Sequence, residues 1–362
     1  MSGPLGVLVT VALFIIVLGS LVLVHELGHF LTARLAGVRV LEFGVGFPPR
    51  AKVLRSRGET LYTLNWLPIG GFVKLEGEDG DDSGDPRSFV RARLPVKLII
   101  LAAGVFMNLL VAFLIFTVIA WLATPYVGLH YGTVQDGSPA AAAGLLPNES
   151  ILGINGQQDE FFGSSNLHAS LQSLAGQTVT LTIQRANGEV VPVTVTLRST
   201  DQIDDSHGAL GIGDLKTMFF GSYGRDLPSA IQVGANETVH WFGVILAGLG
   251  DLVGQVVSNP TAPPPVAGPV GIATQISDVF FLGGPILTLY VAGILSANLA
   301  LVNSLPFPPL DGGRMLMIVL KAIFGSRISV RAERLTYLVG FAFLFTFLIW
   351  VTVFDVFGRT PS

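Results

Sequence analysis

Three ionisable side chains fall within five residues at the end of a long apolar segment. His25, Glu26 and His29 form a His-Glu-x-x-His sequence, and the 24 residues before it contain no charged side chain. On a helix, residues four apart share one face, with Cβ atoms about 5–6 Å apart. Both imidazoles can therefore bind one metal ion. The glutamate beside them is then placed to take a proton from a metal-activated water.

The apolar setting of this motif favours a metal over isolated charges. An ionisable group inside a membrane helix costs about 2.5 kcal/mol or more on insertion scales, and a divalent cation is the expected compensation. The chain contains no cysteine, so a zinc site must use histidine, carboxylate or water ligands. A chance pentapeptide and the polar lining of a water-filled pore are the alternative interpretations.

A catalytic zinc usually has three protein ligands and leaves one position for water. Asp311 is the candidate third ligand, in a segment whose prolines break the helix where a membrane span should end. Irregular backbone at membrane depth is tolerated around a cavity or in a protein interior. Gly312 and Gly313 add no side-chain bulk beside a metal. Alternatively, Asp311 only caps a helix predicted from Arg314 to Phe324, and the residues by themselves favour neither interpretation.

The composition is that of an integral membrane protein with a soluble part. The 362 residues are 50% hydrophobic and 13% charged, and the mean hydropathy is +0.63. The net charge of −4 gives no reason to expect a nucleic-acid partner. We predict four membrane-spanning helices, at residues 5–36, 96–123, 280–305 and 335–354.

The distribution of lysine and arginine predicts how these spans are oriented. Of the 21 cations, 11 lie from Arg34 to Lys97, in the first loop and the span ends that flank it. Another 5 lie between the last two spans, and only 4 lie in the long segment between spans two and three. Cytoplasmic loops carry the excess of positive charge. We therefore expect both termini and the long segment outside the cytoplasm, with the His-Glu-x-x-His motif toward the cytoplasmic side.

The segments between the spans have patterns of their own. Residues 61–75 predict an apolar β-hairpin that turns at Pro68 to Gly71 and lies close to the membrane, although an ordinary surface hairpin is the alternative. In the outer segment, alternating residues on both sides of Asn187-Gly188 predict a second hairpin. Residues 125–200 are predicted as one β-rich domain. Residues 201–279 are predicted as a linker with a helix on the outer surface.

Several of these motifs occur together in a known family. The chain resembles the site-2 proteases, which are intramembrane zinc metalloproteases, in their bacterial sigma-factor-regulating branch. The resemblance rests on the His-Glu-x-x-His sequence, on Asn303 to Gly313, on Pro68 to Lys74, and on Gly268 to Ile272. Residues 132–157 resemble a PDZ domain. One departure lies in the second span. The family often has Gly-Pro before the asparagine there, whereas this chain has Gly104-Val105-Phe106-Met107-Asn108.

The resemblance implies a fold and a set of site residues. The fold is a multi-pass α-helical membrane protein with four transmembrane helices (residues 1–124 and 280–362) and an inserted extracytoplasmic PDZ-like domain. His25, His29 and Asp311 are implied as Zn²⁺ ligands and Glu26 as the catalytic base. Asn303, Gly70, Gly71 and Phe72 are implied in binding substrate.

The implied activity is cleavage of a peptide bond in the membrane-spanning segment of a single-span protein, at a bacterial inner membrane. An anti-sigma factor and a remnant signal peptide both remain open as substrates. The PDZ-like domain is expected either to bind a peptide C-terminus or to exclude substrates with bulky outer domains. The alternative is a catalytically inactive PDZ scaffold with a vestigial metal site.

Overall fold

The computed structural model describes residues 3–56, 58–78, 84–162, 167–204, 207–259, 262–325 and 328–358, without the side chains of residues 69, 330 and 358. The chain divides into two compact units: Met1–Phe116 with Gly234–Ser362, and Thr117–Val233. The helices are α1 (Pro4–Leu35), α2 (Leu94–Leu122), α3 (Pro139–Ala142), α4 (Leu167–Ser173), α5 (Leu227–Ser258), α6 (Pro269–Ser304), α7 (Asp311–Phe324) and α8 (Val330–Val353). The strands are β1 (Val40–Arg55), β2 (Leu61–Leu75), β3 (Thr124–Val134), β4 (Glu149–Ile154), β5 (Asp159–Glu160), β6 (Thr178–Gln184), β7 (Val190–Thr196) and β8 (Ile212–Tyr223).

Within the described residues, five helices are long and apolar enough to cross a membrane: α1, α2, α5, α6 and the stretch Arg331–Phe357 that contains α8. This is one more candidate than the four predicted spans, because α5, predicted as a surface helix, also qualifies by length and composition. The predicted linker at 201–279 is wrong at its end, since α6 begins at Pro269. Proline is favoured in the first turn of a helix, where its missing N–H leaves no bond unmade.

The long helices of the first unit pack through small residues. A Cβ on Gly28 of α1 would lie 2.5 Å from the carbonyl oxygen of Ala103 in α2, and a Cβ on Gly293 of α6 would lie 2.6 Å from the ring of Phe116. Helices can approach this closely only where side chains are absent. As a result, α1 and α6 both lie directly against α2.

Contacts along these helices establish their relative directions. Ser296 of α6 donates a hydrogen bond to the carbonyl of Asn108 in α2 (2.7 Å), and further along α2 the ring of Phe116 lies 5.2 Å from that of Tyr290. Residue numbers rise along α2 as they fall along α6, so these two helices are antiparallel. On the first helix, Thr10 donates to Ser277 of α6 (2.8 Å).

Strands β1 and β2 form a separate two-stranded antiparallel sheet with several register shifts. Residues 71–75 pair with residues 40–45, and residues 61–64 also pair with residues 42–45. Residues 62–65 pair in addition with residues 50–55. The predicted hairpin confined to residues 61–75 is therefore wrong. That segment is a single bent strand, and its partner is the preceding segment. Gly70, with φ +79°, lies in the middle of β2 rather than closing a hairpin turn.

The second unit is built on a six-stranded sheet in the order β5-β3-β4-β6-β7, with β8 paired to β3. Its core is formed by inward residues of these strands, among them Tyr131, Ile151, Leu181 and Ile183, each with no exposed surface. The hairpin predicted around Asn187-Gly188 is confirmed as β6–β7. Strand β8 lies within residues 201–279, which were predicted as a linker with one helix, so that prediction is wrong for this segment. Its sequence has no clean two-residue alternation of apolar side chains, so the pattern did not predict a strand.

Candidate active site

The two histidines of the motif face the same point from one side of α1. His25 and His29 lie one helical turn apart and are 7% and 8% exposed. Their Nε2 atoms are 3.1 Å apart. The spacing predicted from the sequence therefore directs both imidazoles to one position between the helices.

Asp311 completes a cluster with these histidines. Its Oδ2 atom lies 2.9 Å from Nε2 of His25 and 3.2 Å from Nε2 of His29. It is the first residue of α7, and the N-cap position belongs to Leu310. The alternative in which Asp311 only caps this helix is therefore wrong.

The two glycines after Asp311 are required by the fold of the preceding turn. A Cβ on Gly312 would collide with the carbonyl oxygens of Ser304 and Leu305, and a Cβ on Gly313 would collide with the backbone of Phe307. The chain after α6 thus folds directly over the first turn of α7. This close packing brings the Asp311 carboxylate to the histidines of α1.

The geometry of the three ligand atoms fits a zinc ion. Zinc with nitrogen and oxygen ligands at about 2.0–2.1 Å in a tetrahedron places those ligands about 3.3 Å apart, close to the separations of 2.9–3.2 Å here. Burial by itself would raise the pKa of Asp311. Hydrogen bonds from His25 and His29 nevertheless hold this pKa below its ordinary value. The carboxylate is therefore ionised and available as a ligand.

One face of α2 forms the wall behind the histidines. The Nδ1 atom of His29 lies 2.8 Å from the carbonyl oxygen of Ile100. One turn later, a Cβ on Gly104 would lie 2.7 Å from Nε2 of His25 and would collide with Nε2 of His29. Another turn later, the amide of Asn108 lies 3.4 Å from Nδ1 of His25. The motif in α1 gave no sign of these partners.

We expect Gly104→Ala to weaken zinc binding by at least about tenfold, since the new methyl group must displace both ligand nitrogens. Zinc affinity of the purified protein, measured by competition with a chromogenic chelator, checks this. Gly19→Ala is the matched control, because a Cβ there would lie no closer than 3.6 Å to any neighbour. Parental affinity in Gly104→Ala would contradict the placement of the metal against α2.

Glu26 lies between two cavities beside the cluster. The first, of about 220 Å³, is lined by His25, Glu26, Asp311, Asn303 and Asn108 among others. The structure therefore brings the predicted residue Asn303, at the end of α6, to the same cavity as the motif. A substrate group in this cavity would lie against both Glu26 and Asn303.

The second cavity, of about 180 Å³, adjoins the sheet. It is lined by Glu26, His29 and Asp311 on one side and by Gly71 and Phe72 of β2 on the other. Gly70 is not among its lining residues. A Cβ on Gly70 would instead lie 2.9 Å from the side chain of Val22 in α1. Of the three sheet residues predicted from the sequence, two reach this cavity and Gly70 packs against the helix.

An ion pair not predicted from the sequence ties α7 to the sheet. Arg314 lies one turn after Asp311, and its guanidinium is 2.7 Å from Oε1 of Glu78. The other oxygen of Glu78 accepts a hydrogen bond from the backbone N–H of Leu75, the last residue of β2 (3.0 Å). The helix that begins with Asp311 is thereby anchored to the strand that lines the second cavity.

Comparisons with known proteins agree with the chemistry of this cluster. The family model described as Peptidase family M50 matches residues 13–347. The chain is 28% identical to the zinc metalloprotease RasP of Geobacillus kaustophilus, over 95% of this chain and 96% of that protein. It is 31% identical to a putative zinc metalloprotease of Clostridium perfringens (93% and 95%). It is 26% identical to the probable protease eep of Enterococcus faecalis (96% and 98%).

Proposed function

Since the chain belongs to peptidase family M50, we propose that it is a zinc-dependent endopeptidase that cleaves a single-span membrane protein within its membrane-spanning segment. The observation that carries this proposal is the cluster of His25, His29 and Asp311, whose ligand atoms lie 2.9–3.2 Å apart beside Glu26. The names of the relatives, which include zinc metalloproteases, support zinc as the metal.

His25, His29 and Asp311 hold the metal, which when bound polarises a carbonyl and acidifies water. Glu26 accepts the proton of the water that attacks the scissile carbonyl and returns a proton to the leaving amine. Asn303, across the first cavity, donates a hydrogen bond to the substrate backbone and holds the cleaved segment in place. These roles are supported by the cavity that His25, Glu26, Asn303 and Asp311 line together.

Strand β2 receives the substrate segment. A helical substrate keeps its peptide groups in internal hydrogen bonds, so it must unwind locally before attack, and the freed groups then need partners. Among the described strands, only β1 pairs with residues 71–75. Their second edge is therefore open to an added strand beside the second cavity. Trp66 and Leu67 of β2 are 70% and 54% exposed, which favours contact of this sheet with lipid over water.

Four membrane spans are favoured over five. Helix α2 is antiparallel to α6, so the end of α2 and the start of α6 lie on the same side of the membrane. If α5 crossed, the ten residues 259–268 would have to cross back. As a helix they would cover about 15 Å of a hydrocarbon core of about 30 Å, and an extended crossing would leave backbone groups unpaired in lipid. We therefore place α5 along the outer side of the core.

The orientation follows from the charge asymmetry of the loops. The loops rich in cations are cytoplasmic, and both termini and the PDZ-like unit at Thr117–Val233 are outside. This arrangement places the catalytic cluster toward the cytoplasmic side of a bacterial inner membrane. The PDZ-like unit then screens substrates, either by binding a newly exposed C-terminus or by excluding bulky outer domains. Anti-sigma factors and remnant signal peptides are the two substrate classes compatible with this arrangement.

Metal removal tests the proposed function. The full-length protein in detergent is incubated with a single-span model substrate tagged at both ends, and mass spectrometry locates the cut. We expect cleavage inside the apolar segment, its loss with 1,10-phenanthroline, and its recovery when zinc is restored. The non-chelating 1,7-isomer is the control. Cleavage that persists without metal would exclude a metallopeptidase, and a zinc-loaded protein that cleaves no single-span substrate would favour the scaffold alternative.

A further inference from the structure

The side chain of Asn108 is enclosed beside the metal cluster and is only partly satisfied. This residue in α2 has no exposed surface, and its Nδ2 atom lies 3.4 Å from Nδ1 of His25. Its Oδ1 atom is buried and has no hydrogen-bond partner among the residues that the structure describes. A buried polar atom left unpaired destabilises the orientation that holds it, and turning the amide would give Oδ1 a partner.

The hydrogen bonds around His25 determine where its proton lies. The backbone carbonyl of Ile100, 2.8 Å from Nδ1 of His29, can only accept, so His29 carries a proton on Nδ1. Nε2 of His25 lies 2.9 Å from Oδ2 of Asp311, and an ionised carboxylate can only accept. A neutral His25 then holds its proton on Nε2. Its Nδ1 atom accepts a hydrogen bond from the amide of Asn108.

Metal binding requires the other tautomer of His25. To bind zinc through Nε2, His25 must carry its proton on Nδ1, where it needs an acceptor. The polar group beside Nδ1 of His25 is the amide of Asn108, and in this structure its Nδ2 donor faces that atom. His29 needs no such change, since its Nδ1–H is already paired with Ile100. His25 therefore needs a new acceptor for its Nδ1–H before it can bind a metal, whereas His29 already has one.

We propose that the amide of Asn108 turns over by about 180° about its Cβ–Cγ bond when the metal binds, and so acts as the positioning residue for His25. In the turned orientation Oδ1 accepts from Nδ1–H of His25, which stabilises the tautomer whose Nε2 lone pair binds zinc. The two ends of an amide are nearly equal in size, so the rotation leaves the packing unchanged. Nδ2 then takes the position that Oδ1 held, beside the first cavity, which Asn108 lines.

This inference rests on the proposed zinc site, and substitutions that separate donor from acceptor test it. Asn108→Asp keeps an acceptor oxygen, Asn108→Leu removes both functions at similar volume, and Ser296→Ala is the matched control. Ser296 donates to the backbone carbonyl of Asn108 (2.7 Å) and is fully buried. It therefore tests packing between α2 and α6 without touching the amide.

The readout is the apparent zinc affinity of the full-length protein in detergent, by chelator competition. We expect Asn108→Leu to bind zinc about 10–100-fold more weakly, Asn108→Asp to bind at least as tightly as the parent, and Ser296→Ala to match the parent. A purely structural role would weaken Ser296→Ala as well and would not distinguish aspartate from leucine.

Two results would contradict the role of Asn108 and leave the proposed function standing. One is parental zinc affinity in Asn108→Leu, and the other is zinc affinity in Asn108→Asp at least about tenfold below the parent. If Asn108→Leu does not fold, the aspartate variant decides by itself. A parent protein that binds no zinc would instead overturn the proposed function.

Discussion

Glu26→Gln is expected to abolish peptide cleavage while leaving zinc in place. Glutamine keeps the shape of the side chain and its position beside the two cavities, but it accepts no proton from the attacking water. General-base catalysis contributes about 10²–10⁴-fold to rate, which corresponds to about 3–5 kcal/mol of barrier. We therefore expect kcat to fall by this factor with KM little changed, since the residues that hold the substrate backbone are untouched.

Two measurements on the same preparation check this expectation: zinc per chain, and the rate of cleavage of a single-span model substrate. Glu59→Gln is the control, because Glu59 pairs with Arg87 in an exposed ion pair (2.9 Å) and takes no part in the cluster. Cleavage at the parental rate by zinc-loaded Glu26→Gln would remove Glu26 as the base. Loss of zinc in this variant would show that Glu26 supports the metal rather than the proton transfer.

Asp311→Ala is expected to lose both zinc and activity. The two histidines remain, but a catalytic zinc needs a third protein ligand, and the Oδ2 atom at 2.9 and 3.2 Å from their Nε2 atoms is removed. We expect zinc affinity to fall by at least about 100-fold, which is about 2.7 kcal/mol of binding free energy. Cleavage should fall in parallel, because without the metal neither the carbonyl nor the water is activated.

The measurement is zinc per chain after dialysis against a weak chelator, with Ser304→Ala as the control. Ser304 lies at the end of α6 near the same turn. Its hydroxyl donates a hydrogen bond within its own helix, to the carbonyl of Leu301 (2.6 Å). Unchanged zinc in Asp311→Ala would mean that another residue is the third ligand. Equal loss in Ser304→Ala would point to disruption of the turn instead.

Local patterns predicted the parts of the fold in which each segment specifies its own structure. The charge-free run before His25 predicted a helix at 5–36, and α1 is Pro4–Leu35. The alternation around Asn187-Gly188 predicted the β6–β7 hairpin. In both cases hydrophobic periodicity and a turn or cap signal lie within the segment itself.

Other elements could not be predicted because their structure depends on a distant partner. The partner of β2 is β1, twenty residues earlier, and no turn signal within 61–75 could reveal this pairing. Strand β8 joins its sheet through β3, about 80 residues before it. Its residues contain Gly, Asp and Lys where an alternating strand would be apolar. Pairing of backbone groups, rather than side-chain pattern, makes this segment a strand.

The candidate site shows the same division between local pattern and tertiary packing. By itself the sequence determined a pair of histidines and a glutamate on one helix, because a four-residue spacing has a fixed meaning on an α-helix. It left Asp311 undecided between ligand and cap, and it gave no sign that Ile100, Gly104 and Asn108 orient the histidines. Only the packing of α1 against α2, and of the chain after α6 against Gly312 and Gly313 of α7, brings these groups within about 3 Å of each other. The physical reason is that a metal site needs atoms from separate segments at fixed distances, and those distances are set by helix packing rather than by any one segment.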